Sequence, residues 1–167
     1  MWCVWYNIGS NHKGFEGVVS YMKNILELPD KNLRYVTHEI AEKTLNINLK
    51  SKSKKATCPH CGKKSSNVHS RYTRKLQDLP IQDKKVKLII ENKKYFCLNK
   101  DCKYKTFAES FSFFEPKSTK TKRLQEEILR VSLSQSSVSA ERYLRNSIAD
   151  VSKSTICNLL KKTRESN

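Results

Sequence analysis

Cys58-Pro59-His60-Cys61-Gly62 and, further along, Cys97-Leu98-Asn99-Lys100-Asp101-Cys102 are the two stretches whose reading decides how this chain folds. A C-x2-C spacing lets two thiolates converge on one ion from a tight turn, and Gly62 relieves the backbone where that turn needs positive φ. The second pair is C-x4-C, the longer end of the usual zinc spacing. Four thiolates at about 2.3 Å make a closed tetrahedral site, structural in kind, with no position left for substrate water. Cys58, Cys61, Cys97 and Cys102 are therefore the expected ligands of one structural Zn2+ ion. His60 and His69 stand as substitute ligands, and buried or incidental cysteines as the plainer alternative. Disulfides are disfavoured: the six cysteines come with no export signal, which points to reduced thiols. Cys3 and Cys157 stand alone, and Cys157 reads as a packed small hydrophobe.

Thirty-five residues separate Cys61 from Cys97, more than in a compact zinc ribbon, so the chain between them must fold back on itself. Val86, Leu88 and Ile90 alternate with Lys85, Lys87 and Glu91, a period of two that marks a strand. Asp78-Leu79-Pro80 reads as a turn between strands, because proline fixes its own φ and restricts its neighbour. The span is expected to be an antiparallel sheet. Upstream, Leu45, Ile47 and Leu49 alternate with Asn46 and Asn48, again as a strand, and a basic connector, Lys50 to Lys55, follows. Ile25, Leu26 and Leu28 ahead of Pro29-Asp30 suggest a short helix or turn, and Gly9, Gly14 and Gly17 a loose segment over 1–21.

After Pro116 the pattern turns helical. Leu124, Ile128 and Val131 recur at helical spacing and predict a helix from about Thr121 to Ser134. A second is expected from about Ala140 to Asn146, capped by Ser139 or Ser137. A third begins after the N-cap chemistry of Ser152 and carries Ile156, Leu159 and Leu160 to about Thr163. Three short helices with brief connections read as a helix-turn-helix unit. The expected fold is α+β: a small antiparallel β zinc-binding domain followed by a three-helix helix-turn-helix domain. The expected division is an N-terminal extension over 1–21, a short helix or turn plus strand over 22–55, a zinc-ribbon-like domain over 56–110, a linker over 111–120, and the helix-turn-helix over 121–163.

The formal charge is +17, and its placement says more than its size. Residues 1–49 are neutral, residues 50–105 carry 17 basic groups against 4 acidic, residues 106–116 carry two acids, and residues 117–167 carry 11 against 5. Two basic blocks of this kind call for an anionic partner. A membrane fits poorly, since no stretch approaches the roughly 18–20 apolar residues of a span. Met1 to Ile8 also lacks a basic n-region and a cleavage site. Nucleic acid is the better-fitting partner.

On the third helix the outward positions are Lys153, Ser154, Asn158, Lys161 and Lys162. Ser154 and Asn158 lie one turn apart, and Asn can pair bidentately with adenine. Thr155 offers a hydroxyl or a methyl, while Lys161 and Lys162 suit phosphates. The strand block offers Arg71, Arg74, Lys75, Lys84, Lys85, Lys87, Lys93 and Lys94, with Tyr72 and Tyr95 among them, to track the phosphate backbone. The plainer reading of both sets is a solvated face. Two-metal phosphoryl transfer needs carboxylates converging on ions about 4 Å apart. The acids here, such as Asp83, Glu91 and Asp101, are few and scattered, so no enzyme is expected.

Taken together, Cys58-Pro59-His60-Cys61-Gly62, His69-Ser70-Arg71-Tyr72, Asp78-Leu79-Pro80-Ile81, Tyr95-Phe96-Cys97, Cys102 and Thr106-Phe107-Ala108-Glu109 resemble the ISL-three family of bacterial insertion-sequence transposases. Val151-Ser152-Lys153-Ser154-Thr155 looks like the start of that family's recognition helix, and the resemblance runs roughly from Met22 to Thr163. It implies a zinc-ribbon-like domain plus a helix-turn-helix that together bind the element's terminal inverted repeats. Family members continue into a ribonuclease-H-like domain with an Asp-Asp-Glu triad, and the expectation is that this domain is missing here. The resemblance implies a truncated transposase-like protein that binds double-stranded DNA without cutting it, as a homodimer or with a full-length transposase, in a bacterial cytoplasm and associated with the nucleoid. A stand-alone zinc-containing regulator or repressor of transposition is the alternative. The turn before Val151 also lacks the glycine often found there, Asn146 being the nearest residue tolerant of a left-handed conformation.

Overall fold

A computed structural model describes residues 28–165 of the chain; the expectations for 1–21 and for Ile25 and Leu26 lie outside the described residues. Among the described residues seven strands precede three helices. They are β1 (Leu33–Ala41), β2 (Thr44–Ser51), β3 (Ala56–Thr57), β4 (Lys64–Ser65), β5 (Val68–Ile81), β6 (Lys84–Phe96), β7 (Thr106–Ala108), α1 (Lys122–Ser134), α2 (Ser137–Ser147) and α3 (Lys153–Glu165). The main sheet has the order β1-β2-β6-β5, with β7 added to β6, while β3 and β4 form a separate small ribbon.

β5 and β6 are antiparallel, as expected for the span between the cysteine pairs. β2 and β6 are parallel, so the sheet is mixed rather than wholly antiparallel. The long β5 explains this: it carries the chain back across the sheet, and β6 then leaves in the direction of β2. β2 and β7 lie in succession along β6, β2 against Lys85 to Glu91 and β7 against Lys94 to Phe96.

The turn is not at Asp78-Leu79-Pro80. β5 continues through these residues, and the chain reverses at Gln82 and Asp83, with φ of 48° and 61°. A two-residue hairpin of the type I′ kind has positive φ at both central positions, which matches the strand twist. Proline, held near −65°, cannot supply it. Pro80 instead sits where the β5–β6 register shifts between Asp78 and Ile81, on a terminal strand of the sheet, a position that tolerates a missing donor.

One sheet face is buried. Leu45, Ile47 and Leu49 of β2, Leu76 of β5, and Val86, Leu88 and Ile90 of β6 form its core with Leu33, Phe111 and Phe114. Residues 111–120 are therefore no free linker. Phe111 and Phe114 are buried and close the core, each worth roughly 2 kcal/mol of apolar burial. Arg74 holds this segment down by donating to Ser118 O at 2.8 Å and lying 4.7 Å over the Phe114 ring. Strands β1 and β2 share this core with β5 and β6, so 22–55 and 56–110 are not separately packed.

The helices have their own core of Leu124, Ile128, Val131, Ala140, Leu144, Ile148, Ala149, Val151 and Ile156, and Leu79 of β5 packs into it. α1 is capped by Thr121 and α2 by Ser136, not by Ser137 or Ser139. Ser152 Oγ accepts from Thr155 N at 3.3 Å at the start of α3. No residue between α2 and α3 has positive φ, so Asn146 takes no left-handed conformation and the missing glycine costs nothing.

The two cores are stitched together along β5. Gln77 N donates to Thr119 O at 2.8 Å and Gln77 O accepts from Thr121 N at 3.0 Å. Gln77 Oε1 accepts from Asp150 N at 2.8 Å. Asp78, 2 % exposed, accepts from Thr121 Oγ1 and from the Arg123 guanidinium. Lys85 Nζ reaches Asp150 Oδ1 at 2.7 Å. Among the described residues no helix is long and apolar enough to cross a membrane.

Candidate metal centre and nucleic-acid interface

The first cysteine pair sits in the tight turn joining β3 to β4. Cys58 N donates to Lys63 O at 3.0 Å, Gly62 N to Cys58 O at 2.9 Å, and Gly62 has a φ of 73°. That backbone state favours glycine, while the space around its Cα is open, so conformation alone selects the residue. The second pair leaves the end of β6. Cys97 N donates to Lys105 O at 2.8 Å and Cys102 N to Asn99 O at 3.2 Å, which folds the C-x4-C loop back on itself.

The four sulfurs of Cys58, Cys61, Cys97 and Cys102 lie within 4.8 Å of one another, with Cys61 and Cys97 3.5 Å apart. Thiolates about 2.3 Å from a tetrahedral ion stand roughly 3.8 Å from each other, so the group fits zinc. Cys58 and Cys102 are buried with Tyr95 and Phe107, whose rings stack at 5.9 Å, while Cys61 faces solvent. Without a cation such proximity divides the thiols. The backbone N–H of Lys63 leads the groups that lower Cys61 to about 7. At Cys97 the Asn99 N–H acts the same way, but desolvation and the three neighbouring thiols outweigh it and push the group up to about 12. A bound Zn2+ supplies the positive charge that lets all four ionise together.

Neither histidine joins the metal group. His60 stacks on Tyr104, with ring centroids 3.5 Å apart and planes 13° from parallel. His69 Nδ1 lies 2.9 Å from Ser70 Oγ, and the ring meets Phe96 edge-on at 4.8 Å.

The basic candidates of the strand block divide between the two sheet faces. The pairs Arg71↔Lys93, Lys75↔Ile89 and Gln77↔Lys87 share the open face, and Arg74↔Ile90 the buried one. Arg71, Lys75 and Lys87 thus lie together with Lys85, two residues before Lys87. On the same face Glu91 is held by Lys50 at 3.2 Å and by Arg71 at 3.8 Å. Lys85 is partly committed to Asp150. Lys84 is half-buried at the hairpin, Lys94 half-buried near the zinc end, and Lys93 donates to Ser53 O at 2.7 Å. Tyr95 is fully buried and unavailable to a ligand, its hydroxyl pushed up by burial and by Glu109.

On α3, Lys153, Ser154, Asn158, Lys161 and Lys162 are exposed, Thr155 is half-buried at the cap, and Ile156 is fully buried. Leu159 and Leu160 are half-buried against the helical core. The helix therefore presents the polar stripe its sequence predicts. Reading the sequence alone misses Asp78, Arg123, Gln77 and Asp150 as the joint between sheet and helices, because partners 45 to 73 residues apart leave no local spacing to find.

Residues 54–102 match the family model described as the zinc-finger of transposase IS204/IS1001/IS1096/IS1165. The match spans both cysteine pairs and the β5–β6 hairpin between them, so the family resemblance carried by these motifs holds over this segment. No match was found among curated proteins or among solved structures.

Proposed function

We propose that this chain, whose residues 54–102 match the zinc-finger model of the IS204/IS1001/IS1096/IS1165 transposases, is the DNA-recognising part of a transposase-type protein, binding the terminal inverted repeats of an insertion sequence. In this reading α2 and α3 form a helix-turn-helix whose second helix enters the major groove, N-terminal half foremost. Ser154, Thr155 and Asn158 then meet base edges, and Lys153, Lys161 and Lys162 meet phosphates. The open sheet face, with Arg71, Lys75, Lys85 and Lys87, extends the positive surface, while Arg74 supports it from the core side.

The observation that carries the reading is the joint along β5. The Gln77, Asp78 and Lys85 contacts fix the three helices to the zinc-bearing sheet. A reader helix held rigidly beside a basic platform can address two parts of one DNA site at once, which multiplies affinity without new contacts. We also propose that the chain acts by binding and not by cutting. Three of the described acids are engaged in structural pairs, Asp78 by Arg123, Glu91 by Lys50 and Arg71, and Asp150 by Lys85, which supports this reading.

The test is selection of bound duplexes from a random pool by the zinc-loaded chain, followed by gel shift on the selected sequence. Recovery of a single inverted-repeat-like site supports end recognition. Recovery of a promoter-proximal operator would favour the regulator instead, and no enrichment at all would remove sequence-directed binding.

A further inference from the structure

The end of the molecule that carries the zinc site presents rings as well as charge. Phe96 is 45 % exposed, Leu98 44 % and Tyr104 46 %, and His60 is exposed beside them. None of these belongs to a hydrophobic core. The register accounts for the exposure of Phe96. Phe96 pairs with Thr106, and the Cys97 N–H to Lys105 O bond continues that pairing by one residue. Tyr95, Cys97 and Phe107 are thereby turned toward the metal site and Phe96 away from it, while Tyr104 lies against His60 of the first cysteine turn. His60 lies flat on Tyr104 and His69 braces Phe96 edge-on, so both aromatic groups are held in fixed orientations.

The surrounding charge is one-sided. Residues 54–64 and 94–105 contain eight lysines and a single acid, Asp101. Exposed, braced aromatic rings carried by such lysine-rich segments have the composition of a single-strand binding surface, where bases stack and phosphates are neutralised. A duplex keeps its base faces covered, so for duplex contact alone the rings would be idle. An apolar protein partner would meet the same eight lysines with almost nothing to pair them, which is unfavourable for a buried interface.

We propose that the zinc ribbon's outer end is a second nucleic-acid site, binding unpaired bases by stacking on the His60–Tyr104 pair and on Phe96. It deepens the DNA-binding reading above and rests on it for the class of ligand. Duplex addressed by α3 and unpaired bases addressed by the ribbon would suit a DNA end whose strands are locally opened.

The experiment uses the zinc-loaded full chain and two probes of equal length and charge, a 12-nucleotide oligothymidylate and an abasic deoxyribose-phosphate oligomer, with binding read by fluorescence anisotropy. Stacking predicts a preference for the base-bearing probe of about tenfold or more. Tyr104→Ala should remove most of that preference, Tyr104→Trp should keep it, and all three proteins should hold the same zinc. If Tyr104→Ala fails to fold, Phe96→Leu, which keeps apolar volume and loses the ring, should lower the preference in the same sense. Equal binding of the two probes overturns the proposal, as does a Tyr104→Ala preference equal to that of the unsubstituted chain. Self-association abolished by Tyr104→Ala, with no base preference, would reassign the patch to a protein interface and also overturn it. The α3 variant Asn158→Ala separates this inference from the duplex reading. It should weaken specific duplex binding and leave oligothymidylate binding unchanged, so either reading can fail while the other stands.

Discussion

Asp78 on β5 holds the guanidinium of Arg123 on α1 through both carboxylate oxygens, Nε to Oδ1 at 2.8 Å and a terminal nitrogen to Oδ2. The same Oδ1 accepts the hydroxyl of Thr121, which caps the helix, at 2.7 Å. One buried carboxylate therefore fixes both the start of α1 and its attachment to the sheet. Asp78→Ala removes the charge-assisted bonds and loosens the cap, and Arg123, partly exposed, can return to water. A loss of about 2–3 kcal/mol in unfolding free energy is expected. Chemical denaturation checks it. A change below roughly 0.5 kcal/mol would show that the joint is held elsewhere, along Gln77 and Leu79.

Metal removal separates the two halves of the molecule. The knuckle, the Cys97–Cys102 loop and β7 gather around the four thiols, whereas the three helices have a core without a cysteine. Chelation should therefore abolish protection of amides over 56–65 and 97–108 in hydrogen exchange, while β5, β6 and the helices, whose cores hold no cysteine, keep theirs. Cys58→Ser should reproduce the effect, and undisturbed protection in the metal-free chain would refute it.

Zinc affinity should also depend on pH in a graded way. Each ligand must be a thiolate when bound, so a thiol protonated in the free protein releases its proton on binding. Cys97, pushed up to about 12, releases one at any neutral pH. Cys61, near 7, releases one only below about that value. Affinity thus rises with pH throughout, and its slope gains about one proton as pH falls below 7. Titration calorimetry in buffers of differing ionisation enthalpy counts those protons directly. A constant count between pH 6 and 8 would contradict the assignment.

The joint between Asp150 and Lys85 has its own pH signature. The Lys85 hydrogen bond holds the Asp150 carboxyl below its usual range. A depressed carboxylate contributes stability above its unfolded pKa, near 3.9, and loses it as pH falls through the lower folded value. Lys85→Met should therefore cost little at pH 7, about 0.5 kcal/mol for so exposed a pair. The variant and parent should converge in stability as pH falls through that depressed value. Denaturant midpoints followed from pH 7 downward into the acid range provide the comparison.

How far the sequence could be read follows from the range of each interaction. The thiol pairs, the alternating strand of β2 and the apolar spacing of α1 and α3 are local patterns, and the structure carries them where they were expected. Pro80 misplaced a turn because its restriction on φ is compatible with a strand end as well as a turn, while the deciding feature, two positive-φ residues at Gln82 and Asp83, has no glycine to announce it. Phe111 and Phe114 lie in a segment with neither a helical nor a strand period, so their burial is invisible until the sheet core exists to receive them. The basic residues were legible as a block, but their partition between faces required the β5–β6 register, which put Arg74 beneath the sheet and Lys75 above it.

Binding to duplex DNA should be divided between two kinds of residue on α3, and the division is measurable. Asn158 and Lys161 are both exposed on the same helix, close enough to share one DNA site. If some 6–10 phosphates are neutralised overall, affinity should fall by about 10³–10⁵ between 50 and 200 mM salt. Lys161→Ala should weaken binding to all duplexes alike and reduce the slope of log affinity against log salt by about one. Asn158→Ala should leave that slope unchanged and cost roughly 1–3 kcal/mol on the preferred sequence only. Affinities for selected and scrambled duplexes across a salt series supply both readouts. Should the two substitutions shift slope and specificity together, α3 would be acting as a diffuse cationic surface and not as a helix seated in a groove.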